Sequence, residues 1–185
     1  MKFATSLFVC AALPLASCDS GPEVDARNAS ASDVAKQVRQ SGVTSNFVNP
    51  GRWESKVTIE EMTMPGMPPE MAANMKSMAG REQTHTSCLT EEEAKRPKED
   101  FFAGGDKNCR YDHFTMGNGK IDAVMKCKDK NMAQTMAMQG TYGGDAYNMQ
   151  MRMTGEAGGG PQGGMTMKMR VDAKRVGACD GSEDA

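Results

Sequence analysis

Met149-Gln150-Met151-Arg152-Met153 and Met165-Thr166-Met167-Lys168-Met169 each alternate a thioether with a polar side chain. A period of two sends successive side chains to opposite faces of an extended chain, so each stretch reads as a strand with one apolar face. Two strands of this kind set an antiparallel reading for the whole second half. The turn signal Gly144-Asp145 makes opposed residues sum to 289, which pairs Tyr142 with Tyr147, Met138 with Met151 and Met136 with Met153. The Gly-rich stretch 155–164 then places Met151 opposite Met167. A slip of one residue would turn every Met to solvent, so burial of the apolar face fixes the register.

Working outward, Gly117-Asn118-Gly119 and Lys128-Asp129-Lys130 mark further turns. Cys109 and Cys127 each lie nine residues from Asn118. A hairpin centred there sets them opposite one another, at about 4.5–5.5 Å between Cα atoms, within disulfide reach. Cys88 and Cys179 then pair by elimination. The turn at Gly117-Asn118-Gly119-Lys120 is no phosphate loop, because Ile121 stands where Ser or Thr is needed.

Toward the N-terminus, a strand opens after Asn49-Pro50-Gly51, with Trp53, Ser55, Val57 and Ile59 on one face. Met64-Pro65-Gly66-Met67-Pro68-Pro69 ends it. Glu70–Ala79 spaces Met71, Met75 and Met78 as a short helix or lid would, with Gly80 as its stop. A strand over 83–88 follows, and Thr90 with Glu93 forms a capping box for a brief helix ended by Pro97. Phe101–Gly105 reads as loop. Residues 18–50 are polar and small, a flexible tether, in which Ser32 to Arg39 forms a short helix with Ser32 as its cap. The expected fold is mainly β. It is an antiparallel meander of about six to seven strands, curled into an open barrel or sandwich, with one to three short helices.

The leader sets the compartment. Met1-Lys2, an apolar run to Ala16 and then Leu15-Ala16-Ser17-Cys18 describe a secretory signal over 1–17, too short for a resident membrane helix. Leu-Ala-Ser-Cys resembles the bacterial lipobox, which implies lipid on Cys18 and a membrane partner through that anchor. Asp19 resembles an inner-membrane retention signal, so the chain is expected in the envelope, facing the periplasm. Four cysteines remain once Cys10 and Cys18 are set aside, an even number that suits two disulfides in an oxidising compartment. Beyond the leader the chain carries 21 basic and 24 acidic residues. There is no basic stripe, so nucleic acid is not an expected partner, and a monomer is expected.

Several groups of residues resemble the exported bacterial family called domain of unknown function 3617. They are Gly51-Arg52-Trp53-Glu54, Pro65-Gly66-Met67-Pro68, Cys88-Leu89-Thr90 with Glu93 and Pro97, and Asn108-Cys109 with Cys127. Gly140-Thr141-Tyr142 and the closing Arg175-Val176-Gly177-Ala178-Cys179 complete the set. The resemblance covers one domain over 51–179, and the residues after it, 180–185, read as an acidic tail. It implies export and carries no catalytic residue.

Function is less legible. The chain has 18 Met, and beyond the leader 17 of them stand beside one Leu and two Ile. Met fills irregular cores, and it also makes pliable binding surfaces. Thioethers select Cu(I), which makes Met136, Met138, Met151, Met153, Met165 and Met167 a candidate ligand pool. The same six are the candidate wall of an apolar pocket, rimmed by Tyr111, Trp53 and Tyr142. Reversible sulfoxide chemistry is a further role for them. Since Met takes ordinary core positions throughout, packing or an apolar ligand or protein partner is preferred over copper, and no cofactor is expected. No nucleophile or zinc signature appears, and Asp112-His113 point to opposite faces, so no enzyme is expected.

Overall fold

The computed structural model describes residues 21–66, 68–95, 108–129, 132–157 and 164–183. The leader, Cys18, Phe101–Gly105 and the middle of the Gly-rich stretch lie outside them. Eight strands form one sheet: β1 (Glu23–Ser30), β2 (Gly51–Thr63), β3 (Glu82–Leu89), β4 (Cys109–Gly117), β5 (Lys120–Asp129), β6 (Met132–Gly143), β7 (Ala146–Ala157) and β8 (Met165–Gly177). Their order is β1-β4-β5-β6-β7-β8-β2-β3. Every neighbouring pair is antiparallel. The sheet is open, with β1 and β3 as its edges. It is one sheet, not closed into a barrel.

The eighth strand comes from the segment expected to be a tether. Val24 and Ala26 of β1 are buried, and β1 pairs along β4 from Glu23↔Gly117 to Ser30↔Arg110. Helix α1 (Ala31–Ser41) follows at once. Its cap is Ser30, not Ser32, and the Asp33 amide donates to the Ser30 hydroxyl at 3.1 Å. Ala31, Val34, Ala35 and Val38 recur at helical spacing and are all buried against the sheet. Gly42 ends the helix in the left-handed conformation, and a 3₁₀ turn over Val43–Asn46 brings Phe47 back onto the sheet. The core is this helix packed on Tyr111, Phe114 and Met116 of β4 and on Ile121, Ala123 and Met125 of β5.

Two shorter helices, α2 (Pro69–Met78) and α3 (Glu91–Lys95), flank β3. The capping box of α3 is formed: Glu93 N donates to Thr90 Oγ1 at 3.2 Å, and Thr90 N to Glu93 Oε2 at 3.1 Å.

Registers separate what turn chemistry determines from what it does not. Across Gly144-Asp145 the pairs Tyr142↔Tyr147, Met138↔Met151 and Met136↔Met153 stand as expected. Across the Gly-rich stretch the register differs by two residues: Met151 faces Met169, and Met153 faces Met167. The apolar face is kept, because a two-residue shift preserves the alternation. The β4–β5 tip is the two-residue turn Asn118-Gly119, both with positive φ, which makes opposed residues sum to 237 and would place Arg110 on Cys127. A bulge at Asp112 takes up the extra residue. Beyond it Cys109 faces Cys127, and Tyr111 joins Phe114 on the buried face. Both disulfides are formed, Cys109–Cys127 with Cα atoms 4.0 Å apart and Cys88–Cys179 with 5.4 Å.

Candidate functional site

The pairing carries methionines across five strands in one row: Met125, Met136, Met153, Met167 and Met62 on β5, β6, β7, β8 and β2. The next row runs Ala123, Met138, Met151, Met169, Ile59. Both rows lie on the face that α1 covers at its other end. Met125 is buried beneath that cover, whereas Met136, Met138, Met151, Met153, Met165 and Met167 are only half-buried. The six therefore do not form a filled core.

A trough of about 280 Å³ opens on this face. Its floor is Met138, Met149, Met151 and Val171; its walls are Phe47, Val48, Trp53, Leu89 and Tyr147, and Ser87 supplies a hydroxyl. The aromatic walls are held by specific contacts. Trp53 Nε1 donates to the Asn49 carbonyl at 3.0 Å, so the indole's one polar atom is satisfied away from the opening. Its ring lies 5.6 Å from that of Tyr147. Phe47 packs on Tyr142 at 4.9 Å between centroids. Met149 lies over Gly140, where a Cβ would fall 2.6 Å from its sulfur and 2.2 Å from the Asn148 carbonyl oxygen. Only glycine permits so close an approach. Gly51 plays the same part where β2 starts beside β8: a Cβ there would meet the Gly177 carbonyl at 2.4 Å.

Of the expected aromatic rim, Trp53 alone lines the trough. Tyr142 supports Phe47 from behind. Tyr111 is buried in the core against Phe114, 5.3 Å between rings, and burial pushes its hydroxyl pKa up to about 12. Phe47 and Val48 were missed because they lie within the segment 18–50, read as a tether. Met153, Met165, Met167 and Met136 belong to the same face but lie beyond the trough.

The opposite face is polar, as the alternation requires, with Gln139, Gln150, Arg152, Lys168 and Arg170 upon it. Ion pairs stitch its strands: Lys168 to Glu61 at 2.6 Å, Lys174 to Glu54 at 3.2 Å and Lys56 to Glu82 at 3.0 Å. The hydrogen bond from Lys168 holds the Glu61 carboxyl below its ordinary range, and Glu82 raises the Lys56 ammonium. Asp112 and His113 separate, Asp112 to Lys126 at 2.5 Å and His113 to Asp122. Asp180, at the start of the acidic tail, accepts from Arg52 at 2.6 Å. Cys88, Cys179 and Glu183 bring three donor atoms within 4.8 Å, but both sulfurs are spent in their disulfide and offer no thiolate to a metal.

The sequence profile of the family described as "Protein of unknown function (DUF3617)" matches residues 48–179. The chain belongs to this family. No curated protein and no solved structure matches it. The matched span begins at Val48, so β1 and α1 precede it although they supply much of the core. Within the family span, Gly51 and Gly140 stand at the two close approaches described above, and Cys88, Cys109, Cys127 and Cys179 are the disulfide frame. That frame points to an oxidising, exported environment.

Proposed function

We propose that this member of the family is a non-enzymatic lipoprotein of the cell envelope whose trough holds one apolar molecule of acyl-chain class. The carrying observation is the floor of Met138, Met149 and Met151 beside Trp53, an apolar surface left open on the sheet. Pockets that bind small molecules span about 300–1,000 Å³, so this trough suits a single hydrocarbon chain rather than a whole lipid. Thioethers on three-torsion side chains conform to such a guest at small cost. The chain is attached through lipid on Cys18 and acts as a monomer, without nucleic acid or cofactor. An apolar segment of a partner protein is the competing occupant. Cu(I) binding or oxidant buffering by Met136, Met138, Met151, Met153, Met165 and Met167 is the competing chemistry.

Trp53 is the chain's only tryptophan, which makes the test direct. Titration with a bromine-labelled fatty acid is expected to quench its emission saturably, and Met151→Lys to abolish the quenching. No quenching by brominated chains of any length would sink the acyl-chain reading. Labelling of cells with palmitate, in the wild type and in Cys18→Ala, tests the anchor.

A further inference from the structure

Outside the trough, a second cleft of about 510 Å³ lies between the end of β2 and α2. Three thioethers line it: Met62 and Met64 from the strand, and Met75 from the helix. We propose that Met62, Met64 and Met75 form a binding site for a soft monovalent cation, Cu(I) or Ag(I).

The argument begins with what is left to bind soft metals. Cys88, Cys109, Cys127 and Cys179 are all in disulfides, so thioethers are the soft donors available among the described residues. Oxidation that removes thiolates as ligands leaves thioethers in place, and thioethers select Cu(I) over harder ions. Geometry then favours this trio over the strand methionines. Met136, Met153 and Met167 sit one per strand on a common sheet face, whereas the trio approaches from two different elements. Met62 lies on the regular strand, Met64 just past its end, and Met75 is half-buried on the helix facing it. The helix is fixed there by Gly80 N, which donates to the Ile59 carbonyl at 2.7 Å.

The surroundings suit a cation bound by neutral sulfur. Glu60 and Glu61 flank the cleft and pair with two cations of β8, Arg170 at 3.7 Å and Lys168 at 2.6 Å, so their charges are balanced locally. Lys76, also on the wall, is exposed, so its charge is solvated. Met71, one turn earlier on the same helix, does not line the cleft, and Met64 is the most exposed of the trio at 41%.

The site is independent of the trough, and its test separates the two. Ag(I) is titrated into the full mature chain in chloride-free buffer, followed by calorimetry and by the NMR signals of ¹³C-methyl methionine. One equivalent is expected to bind and to shift the methyls of Met62, Met64 and Met75. Met75→Leu, which keeps the volume, is expected to weaken binding by about tenfold or more. A Met138→Leu, Met149→Leu, Met151→Leu variant is expected to bind Ag(I) like the wild type. Cu(I), delivered under a competing chelator, is expected to follow the same pattern, and Zn(II) to leave the spectrum unchanged. The proposal is overturned if the wild type takes up no stoichiometric Ag(I), if the shifts fall on other methyls, or if Met75→Leu binds undiminished.

Discussion

The sheet presents one apolar face along its whole width, but its two halves use that face differently. Over β1, β4 and β5 the face is covered by α1. There Val24, Ala26, Tyr111, Phe114, Met116, Ile121, Ala123 and Met125 are all buried, in a mixture of shapes that interdigitate. Over β6, β7 and β8 no described helix covers it, and α2 lies only against the end of β2. Met dominates, and apart from Trp53, Met149 and Ala173 its residues stay half-buried. Thioethers are thus concentrated where the surface is open. The residue type expected to build the core instead dominates the part of the face that α1 does not reach.

That contrast can be broken most directly by truncating one residue in each half. Phe114→Ala removes a ring with no exposure and is expected to cost about 3–5 kcal/mol in urea unfolding. Met151→Ala, half-buried, is expected to cost about 1 kcal/mol while weakening apolar ligands. Equal costs would mean that the open half is as tightly packed as the covered one. Next come the disulfides, one tied to each half. Cys109→Ala with Cys127→Ala loosens the covered half and Cys88→Ala with Cys179→Ala the open one. Each pair is expected to lower stability by about 2–4 kcal/mol. The longer 91-residue separation of Cys88 and Cys179 predicts the larger loss.

Gly140→Ala sharpens the comparison at the boundary. The added methyl meets the Met149 sulfur and a backbone oxygen, so about 1–3 kcal/mol is expected, with displacement of the trough floor visible as a change in Trp53 emission. The smallest effect is one of pH. Tyr111 ionises near 10 when unfolded and at about 12 in the fold. The unfolded chain therefore loses this proton first, and stability is expected to fall as pH rises from about 10 to 12. Tyr111→Phe should flatten that limb of the profile. A limb unchanged in Tyr111→Phe would place the alkaline loss elsewhere.

How far the sequence carries the fold depends on which residues set each feature. Alternation over Met149–Met153 and the tight turn at Gly144-Asp145 are local, and both are legible with their register. The Gly-rich connection fixes no turn type, so the Met165–Met169 strand settles by its contacts, two residues from the expected pairing. Glu23–Ser30 offers only Val24 and Ala26 as an inward pair and interrupts the strand at Asn28, which has positive φ. Its state is decided by the edge of β4 and by α1, neither of which is local. The trough was half visible for the same reason. Trp53 and the strand methionines could be named, whereas Phe47, Val48 and Leu89 reach it only through the folding of their neighbours.

The bulge at Asp112 has a further meaning. On a straight ladder from the Asn118-Gly119 tip, Cys127 would stand beside Arg110, and Tyr111 and Cys109 would face water. The two sulfurs meet only when the ladder takes in one surplus residue at Asp112. Oxidation of this hairpin is therefore a proofreading event. The bulged alignment brings the two sulfurs within bonding reach, whereas the unbulged one sets Arg110 in place of Cys109 opposite Cys127.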